Sequence, residues 1–79
     1  MKADGTKPST HLSLERGLQL LETVAASARP VSLAESARRT GLHRSTAHHL
    51  LKTLVSLGYL RQDAESRRYE VSQRVGYHR

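Results

Sequence analysis

The chain has 79 residues, no cysteine and a formal net charge of +6, from 13 Lys and Arg against seven Asp and Glu. This length allows one small domain, and the lack of cysteine excludes a disulfide framework. No apolar run approaches the roughly 18 residues of a membrane-spanning helix. The excess of positive charge favours a polyanionic partner, either nucleic acid or an anionic membrane surface, although solubility alone would also explain it.

The first segment, residues 1–11 with the sequence MKADGTKPSTH, is polar and has no periodicity. It lacks the apolar centre of a signal peptide. We expect a flexible basic arm here and a cytoplasmic protein.

A helical pattern follows Ser13, which can cap it, and runs to about Ser27 before Pro30. Its apolar residues recur at i, i+4, i+7 and i+11 and so share one stripe. The members of that stripe are Leu14, Leu18, Leu21 and Ala25. The pattern predicts a first helix over about 14–27 with this stripe buried.

The next helix is marked by its ends. Ser32 and Glu35 have the spacing of a capping box, in which each side chain accepts a backbone N–H of the other. Gly41 is a typical residue just after a helix. Arg38 and Arg39 near the end either complement the helix dipole or contact a polyanion, and the sequence leaves both open.

A third helix is predicted over His43 to Leu57, with Gly58 after it. Its apolar stripe consists of Ala47, Leu50, Leu51 and Leu54. The opposite face carries Arg44, Ser45, His48, His49, Lys52 and Ser56. A face this polar cannot pack into a core, so we expect it to be exposed.

After Gly58 the period changes from helix to strand. The segments 59–63 and 67–71 flank the turn-like 64–66, which predicts a small antiparallel hairpin. Leu60, Tyr69 and Val71 are expected to face the helices. Arg67 and Arg68 at the tip either protect a sheet edge or contact phosphate or the minor groove. From Ser72 a further helical run begins, too short to be a useful helix.

Together these elements predict a mainly α fold with a small β-hairpin: a winged helix-turn-helix of three helices plus a wing, over residues 12–75. In that architecture the third helix enters the DNA major groove. Arg44 can form paired hydrogen bonds to guanine, and first-turn hydroxyls can meet phosphate. The predicted DNA-binding residues are Ser32, Arg44, Ser45, Thr46, His48, His49, Lys52, Arg67 and Arg68.

The same residues also bear on metal binding, base stacking and catalysis. His43, His48 and His49 suggest a metal, but adjacent histidines diverge by about 100° on a helix and no cysteine completes a site, so we expect no metal and no cofactor. Thr46 either contacts DNA or bonds back to its own helix. Tyr59 and Tyr69 are expected to flank the core rather than stack on bases. Catalysis is not supported, because no phosphate loop, catalytic triad order or paired carboxylates occur.

The segments LERGLQLLETVA, LAESARRTGLHRSTAHHLLKTL, LGYL and RYEVS resemble the N-terminal DNA-binding domain of the IclR family of bacterial transcription regulators. The resemblance covers about residues 13–74. It implies a homodimer on a palindromic operator and a small-molecule effector bound by a C-terminal domain absent here, with residues 76–79 starting the linker. In the family the recognition helix usually opens with Pro, where His43 stands, and carries Arg in place of His49.

Two rival classes remain beside DNA binding. A winged helix can serve as a protein–protein interaction module, although the charged, non-apolar face of the third helix is unlike an interface core. An RNA-binding winged helix would need stacking aromatics that the sequence does not offer.

Overall fold

Three helices and a two-stranded sheet follow one another in the computed structural model, which describes residues 12–73. The elements are α1 Leu12–Ala26, α2 Leu33–Thr40, α3 Arg44–Ser56, β1 Leu60–Gln62 and β2 Tyr69–Val71. This confirms the winged helix-turn-helix. The predicted N-terminal arm, the predicted linker and most of the helical run from Ser72 lie outside the described residues. No described helix has the length and apolarity needed to cross a membrane.

The boundaries of α2 follow from its end residues. The Ser32 hydroxyl accepts the Glu35 backbone N–H at 3.1 Å, and Gly41 has φ 74°, the left-handed conformation that glycine adopts without steric cost. Only this half of the predicted capping box forms, because the Glu35 carboxylate instead lies 3.4 Å from the Arg39 guanidinium. An i,i+4 cation has displaced the reciprocal bond to the backbone.

The core lies where α1, α2 and α3 meet the wing. Its buried apolar residues are Leu20, Leu21, Val24, Val31, Ala37, Ala47, Leu51, Leu54, Leu60 and Tyr69. The predicted stripe of α3 is confirmed, with Leu50 only partly buried. Since α3 packs on α1, α2 and β1 at once, its orientation is fixed by three neighbours.

The buried face of α1 was predicted wrongly. Leu14 is 63% exposed and Leu18 48% exposed, whereas Leu20 and Val24 are buried; Ala25 is exposed as well. At 100° per residue, the buried face is centred about 80° away from the predicted stripe. The stripe itself is real, but only Leu21 at its margin reaches this core.

The hairpin pairs Leu60 with Val71, Arg61 with Glu70 and Gln62 with Tyr69. Leu60 and Tyr69 are buried and Val71 is half-buried, as predicted. Tyr59, by contrast, is 41% exposed and does not flank the core closely.

The hairpin is also tied to the segment between α1 and α2, which the sequence did not predict. Val31 and Tyr69 form an antiparallel bridge whose two N–H···O=C bonds are 2.9 and 2.8 Å long. Val31 thus pairs with the outer edge of β2 as a one-residue third strand. Because of this pairing, the wing cannot move independently of the start of α2.

Candidate nucleic-acid interface

The polar face of α3 is fully presented to solvent. Exposed side chains are those of Arg44, Ser45, His48, His49 and Lys52, and the side chain of Thr46 is half-buried. At about 100° per residue, Ser45, His49 and Lys52 lie near the centre of this face, and Arg44 and His48 lie at one border. The opposite side is anchored by Ala47, Leu51 and Leu54. One rigid, buried stripe thus holds a row of donors facing outward.

The first turn of α3 has free backbone donors. His43 occupies the cap position without a side-chain cap bond, and no acidic residue stands in the first turn. The first N–H with a partner inside the helix is that of Ala47, which donates to the His43 carbonyl at 2.9 Å. The preceding amides therefore point along the axis at the positive end of the helix dipole, an arrangement suited to an anion.

The hydroxyl of Thr46 is not engaged within residues 12–73. Helical back-bonding occurs in α3 at Thr53 instead, whose hydroxyl donates to the His49 carbonyl at 3.0 Å. Of the two roles considered for Thr46, the bond to its own helix is absent from the described structure.

The electrostatics of α3 have one sign. The helix contains no Asp or Glu among its 13 residues, and Arg44 and Lys52 stand on its outward face. Within residues 12–73 no group of three His, Cys, Asp or Glu side chains could hold a metal ion. The face therefore offers cations, hydroxyls and amide N–H groups to an anionic partner.

The wing turn is organised by Asp63. Its carboxylate accepts the backbone N–H groups of Ser66 at 2.7 Å and Glu65 at 3.0 Å. The hydrogen bond from the Ser66 amide, supported by the Ser66 side chain, holds the pKa of the Asp63 carboxyl below its ordinary value. The turn therefore keeps its shape through a charged cap.

Arg67 at the end of this turn has a left-handed backbone, with φ 65°. That conformation costs an L-residue roughly 1–2 kcal/mol. It is held by the Arg67 N–H, which donates to the Asp63 carbonyl at 2.8 Å, and by the Gln62 side chain, which donates to the Arg67 carbonyl at 3.0 Å. A glycine would be unstrained here, so an arginine at this position suggests a use for its charge.

Cross-strand pairing in the wing uses a different arginine. Arg61 binds Glu70 at 2.7 Å, whereas the exposed Arg67 and Arg68 form no ion pair with any residue from 12 to 73. Because Val31 faces Tyr69, the antiparallel register puts Ser32 beside Arg68. The Ser32 hydroxyl already accepts one N–H, and its own hydrogen remains available to a phosphate.

The predicted residues thus fall into two groups. One group lies on α3 and consists of Arg44, Ser45, Thr46, His48, His49 and Lys52; the other lies at the turn end of the wing and consists of Ser32, Arg67 and Arg68. Both arginines left open by the sequence are exposed, but they differ in their contacts: Arg39 donates to the Ser27 hydroxyl at 3.0 Å and to Glu35, whereas the Arg38 side chain bonds to no residue from 12 to 73. Sequence reasoning missed Val31, since one bridged residue leaves no periodic signal.

The chain is similar in sequence to known proteins. The IclR helix-turn-helix domain family matches residues 13–64. The transcriptional repressor IclR of Escherichia coli (strain K12) is 46% identical over 65 residues, covering 80% of this chain and 24% of that protein. The acetate operon repressor of Salmonella typhimurium is 49% identical over 53 residues, covering 67% of this chain and 19% of that protein.

Solved structures agree. An IclR family transcriptional regulator from Brucella abortus matches with a TM-score of 0.75 and 40% identity, over 85% of this chain and 27% of that chain. The present chain spans about a quarter of the length of these relatives or less.

Proposed function

This chain belongs to the IclR family of transcription regulators, and we propose that it binds double-stranded DNA sequence-specifically, with α3 in the major groove and the wing on the backbone or minor groove. One observation carries the proposal. The buried stripe of α3 fixes the helix, its outward face has no carboxylates, and the backbone N–H groups of its first turn have no side-chain cap. We infer no enzymatic activity for the chain, since the family consists of transcription regulators.

In this arrangement the residues of α3 divide the work. Arg44 reads guanine through paired hydrogen bonds to O6 and N7. Ser45, Thr46 and the free amides beside them hold phosphate at the helix start. His48, His49 and Lys52 extend the contact along the groove, and Arg67 and Arg68 add the wing.

A protein–protein interaction module is the rival function. Interface cores are depleted in charge and enriched in aromatic residues, and the outward face of α3 has neither feature. Exposed large apolar side chains lie elsewhere: Leu14 and Leu18 on α1, and Leu57 and Tyr59 after α3.

That face of α1 supports a homodimer. Leu14, Leu18 and Ala25 are exposed along one side of α1, at the four- and seven-residue spacing by which helices pair along one seam. A second copy of the chain offers the same stripe, so a two-fold contact would bury both at once. Two DNA-binding faces related by a two-fold axis then require a palindromic operator.

We place the protein in the cytoplasm and assign any small-molecule effector to a part of the protein beyond this chain.

Selection from a random pool of DNA duplexes tests the proposal. The expected winners share a defined motif arranged as an inverted repeat, since each copy reads one half-site. Winners without any shared motif would contradict sequence-specific binding. A motif present only as a single half-site would contradict the dimer while leaving the reading of DNA by α3 intact.

A further inference from the structure

Beside the wing, on the side of the α1–α2 connection, lies an open recess of about 640 Å³, and of its lining residues the predicted interface includes only Arg68. Three arginines from three parts of the fold line it: Arg29 before α2, Arg39 near the end of α2 and Arg68 before β2. We propose that this recess binds a phosphodiester of the DNA backbone outside the bases read by α3. The proposal rests on the proposed function and adds Arg29 and Arg39 to it.

The charge of the recess favours an anion. Its lining contains three arginines and one carboxylate, that of Glu35. This carboxylate contacts Arg39 at 3.4 Å, and both side chains are 39% exposed, so solvent weakens the pair. Arg29 and Arg68 have no ion-pair partner within residues 12–73. The recess therefore keeps an excess of two positive charges.

One of the three arginines, Arg39, is also positioned before any ligand arrives. The Arg39 guanidinium donates to the Ser27 hydroxyl at 3.0 Å, and that hydroxyl donates to the Thr23 carbonyl at 2.8 Å. One nitrogen of Arg39 is thus held against α1, which leaves its other donors for an oxyanion. A planar guanidinium that is already oriented loses less side-chain freedom when it forms paired bonds to phosphate oxygens.

The bridge between Val31 and Tyr69 joins this recess to the wing. It fixes the connection that carries Arg29 against the strand that follows Arg68. Ser32, at the start of α2, lies beside Arg68 in the same register. A phosphate held by Arg68 and Ser32 at the turn end of the wing therefore lies at the edge of the recess, and the next phosphate along the same DNA strand can enter the recess.

The test compares Arg29→Gln, made in the full 79-residue chain, with wild type by fluorescence anisotropy on a selected duplex and on a random-sequence duplex. We expect the affinity to fall by roughly three- to tenfold on both duplexes, with the slope of log K against log salt lower by about 0.9. Arg29→Lys should recover part of the affinity because it keeps the charge. Arg16→Gln on α1, outside the recess, removes the same charge and should change affinity less than twofold.

The outcomes separate the two proposals. If wild type binds duplex and Arg29→Gln matches it on both duplexes and in salt slope, the recess proposal is overturned and the proposed function stands. If only the selected duplex loses affinity, Arg29 reads a base, which also overturns it. Titration with inorganic phosphate checks the source of the anion. Saturation near physiological phosphate concentrations, with duplex affinity unchanged, would show a site for a free phosphate ion instead.

Discussion

The starts of α2 and α3 differ although the two helices are neighbours in one motif. At α2, the Ser32 hydroxyl takes up the Glu35 amide, and an acidic residue stands in the first turn. At α3, the cap residue His43 makes no side-chain bond and the first turn has no acid. One amide at the start of α2 is thus satisfied by a side chain, whereas no side chain within residues 12–73 accepts from the first turn of α3.

This difference shows how one motif separates stability from binding. A capped helix start contributes about 1 kcal/mol to folding, and an uncapped one forgoes that contribution. Tertiary packing replaces it in α3, where Ala47 and Leu51 are fully buried. The chain can therefore leave the amides in the first turn of α3 unsatisfied, and a phosphate at that position would accept hydrogen bonds from them.

The largest effect is expected from Arg44→Ala. Loss of a bidentate arginine–guanine contact should weaken binding to a selected duplex by about 1–3 kcal/mol and relax preference at one base pair. Unfolding free energy should stay within about 0.5 kcal/mol of wild type, because the side chain is exposed. Equal losses on selected and random duplexes would reduce Arg44 to a phosphate contact.

A variant that gives α3 the kind of side-chain cap found at α2 tests the difference between the two helix starts. His43→Asp supplies α3 with a cap and should raise the unfolding free energy by roughly 0.5–1 kcal/mol. The same carboxylate would face phosphate, so duplex affinity should fall by about tenfold at low salt. Thermal unfolding and anisotropy measure the two changes.

Ser32→Ala is the mirror variant. It removes the cap of α2 and should lower the unfolding free energy by about 1 kcal/mol, while duplex affinity loses no more than one phosphate contact. If His43→Asp bound duplex as tightly as wild type, the open start of α3 would not face DNA.

His49→Arg tests the centre of the outward face with a smaller effect. It places a permanent charge where the resemblance implies one, so duplex affinity at pH 8 should rise by a few fold and the salt slope by about 0.9. His49→Gln is the uncharged control and should not tighten binding. If His49→Arg does not raise duplex affinity, the side chain at position 49 lies away from the DNA backbone.

The smallest effect concerns the wing. The pKa of Asp63 is lowered in the folded state by the hydrogen bond from the Ser66 amide. Its stabilising contribution is therefore fully present above the ordinary aspartate value of about 4 and is lost as the pH falls through the lower folded value. Asp63→Asn should melt slightly below wild type at pH 6, and the difference should shrink progressively as the pH is lowered below 4. A difference that does not shrink as the pH falls would show that the charge of Asp63 is not what stabilises the turn.

Much of the fold was predictable because its elements have chemical ends. Ser32 and Gly41 bound α2, and Gly58 follows α3, so the helix-turn-helix could be placed within one or two residues. Polarity alone sufficed to predict the exposed face of α3. Glu35 was harder, since two partners compete for its carboxylate and Arg39 prevails.

The errors have a common physical origin. Periodicity shows that Leu14, Leu18 and Ala25 share an apolar stripe, but it does not show what covers the stripe, and this core does not. The Val31–Tyr69 bridge is a contact between segments far apart in sequence, which local patterns do not encode. The recess of Arg29, Arg39 and Arg68 depends on that bridge and was missed with it.

NMR titration of the ¹⁵N-labelled chain with a selected duplex shows whether α3 contacts DNA through its uncapped first turn. We expect the amide signals of Arg44, Ser45 and Thr46 to shift most, with smaller shifts in the wing and little change at Leu20 and Val24 in the core. Amide shifts concentrated elsewhere, with the first turn of α3 unchanged on saturation, would contradict that contact.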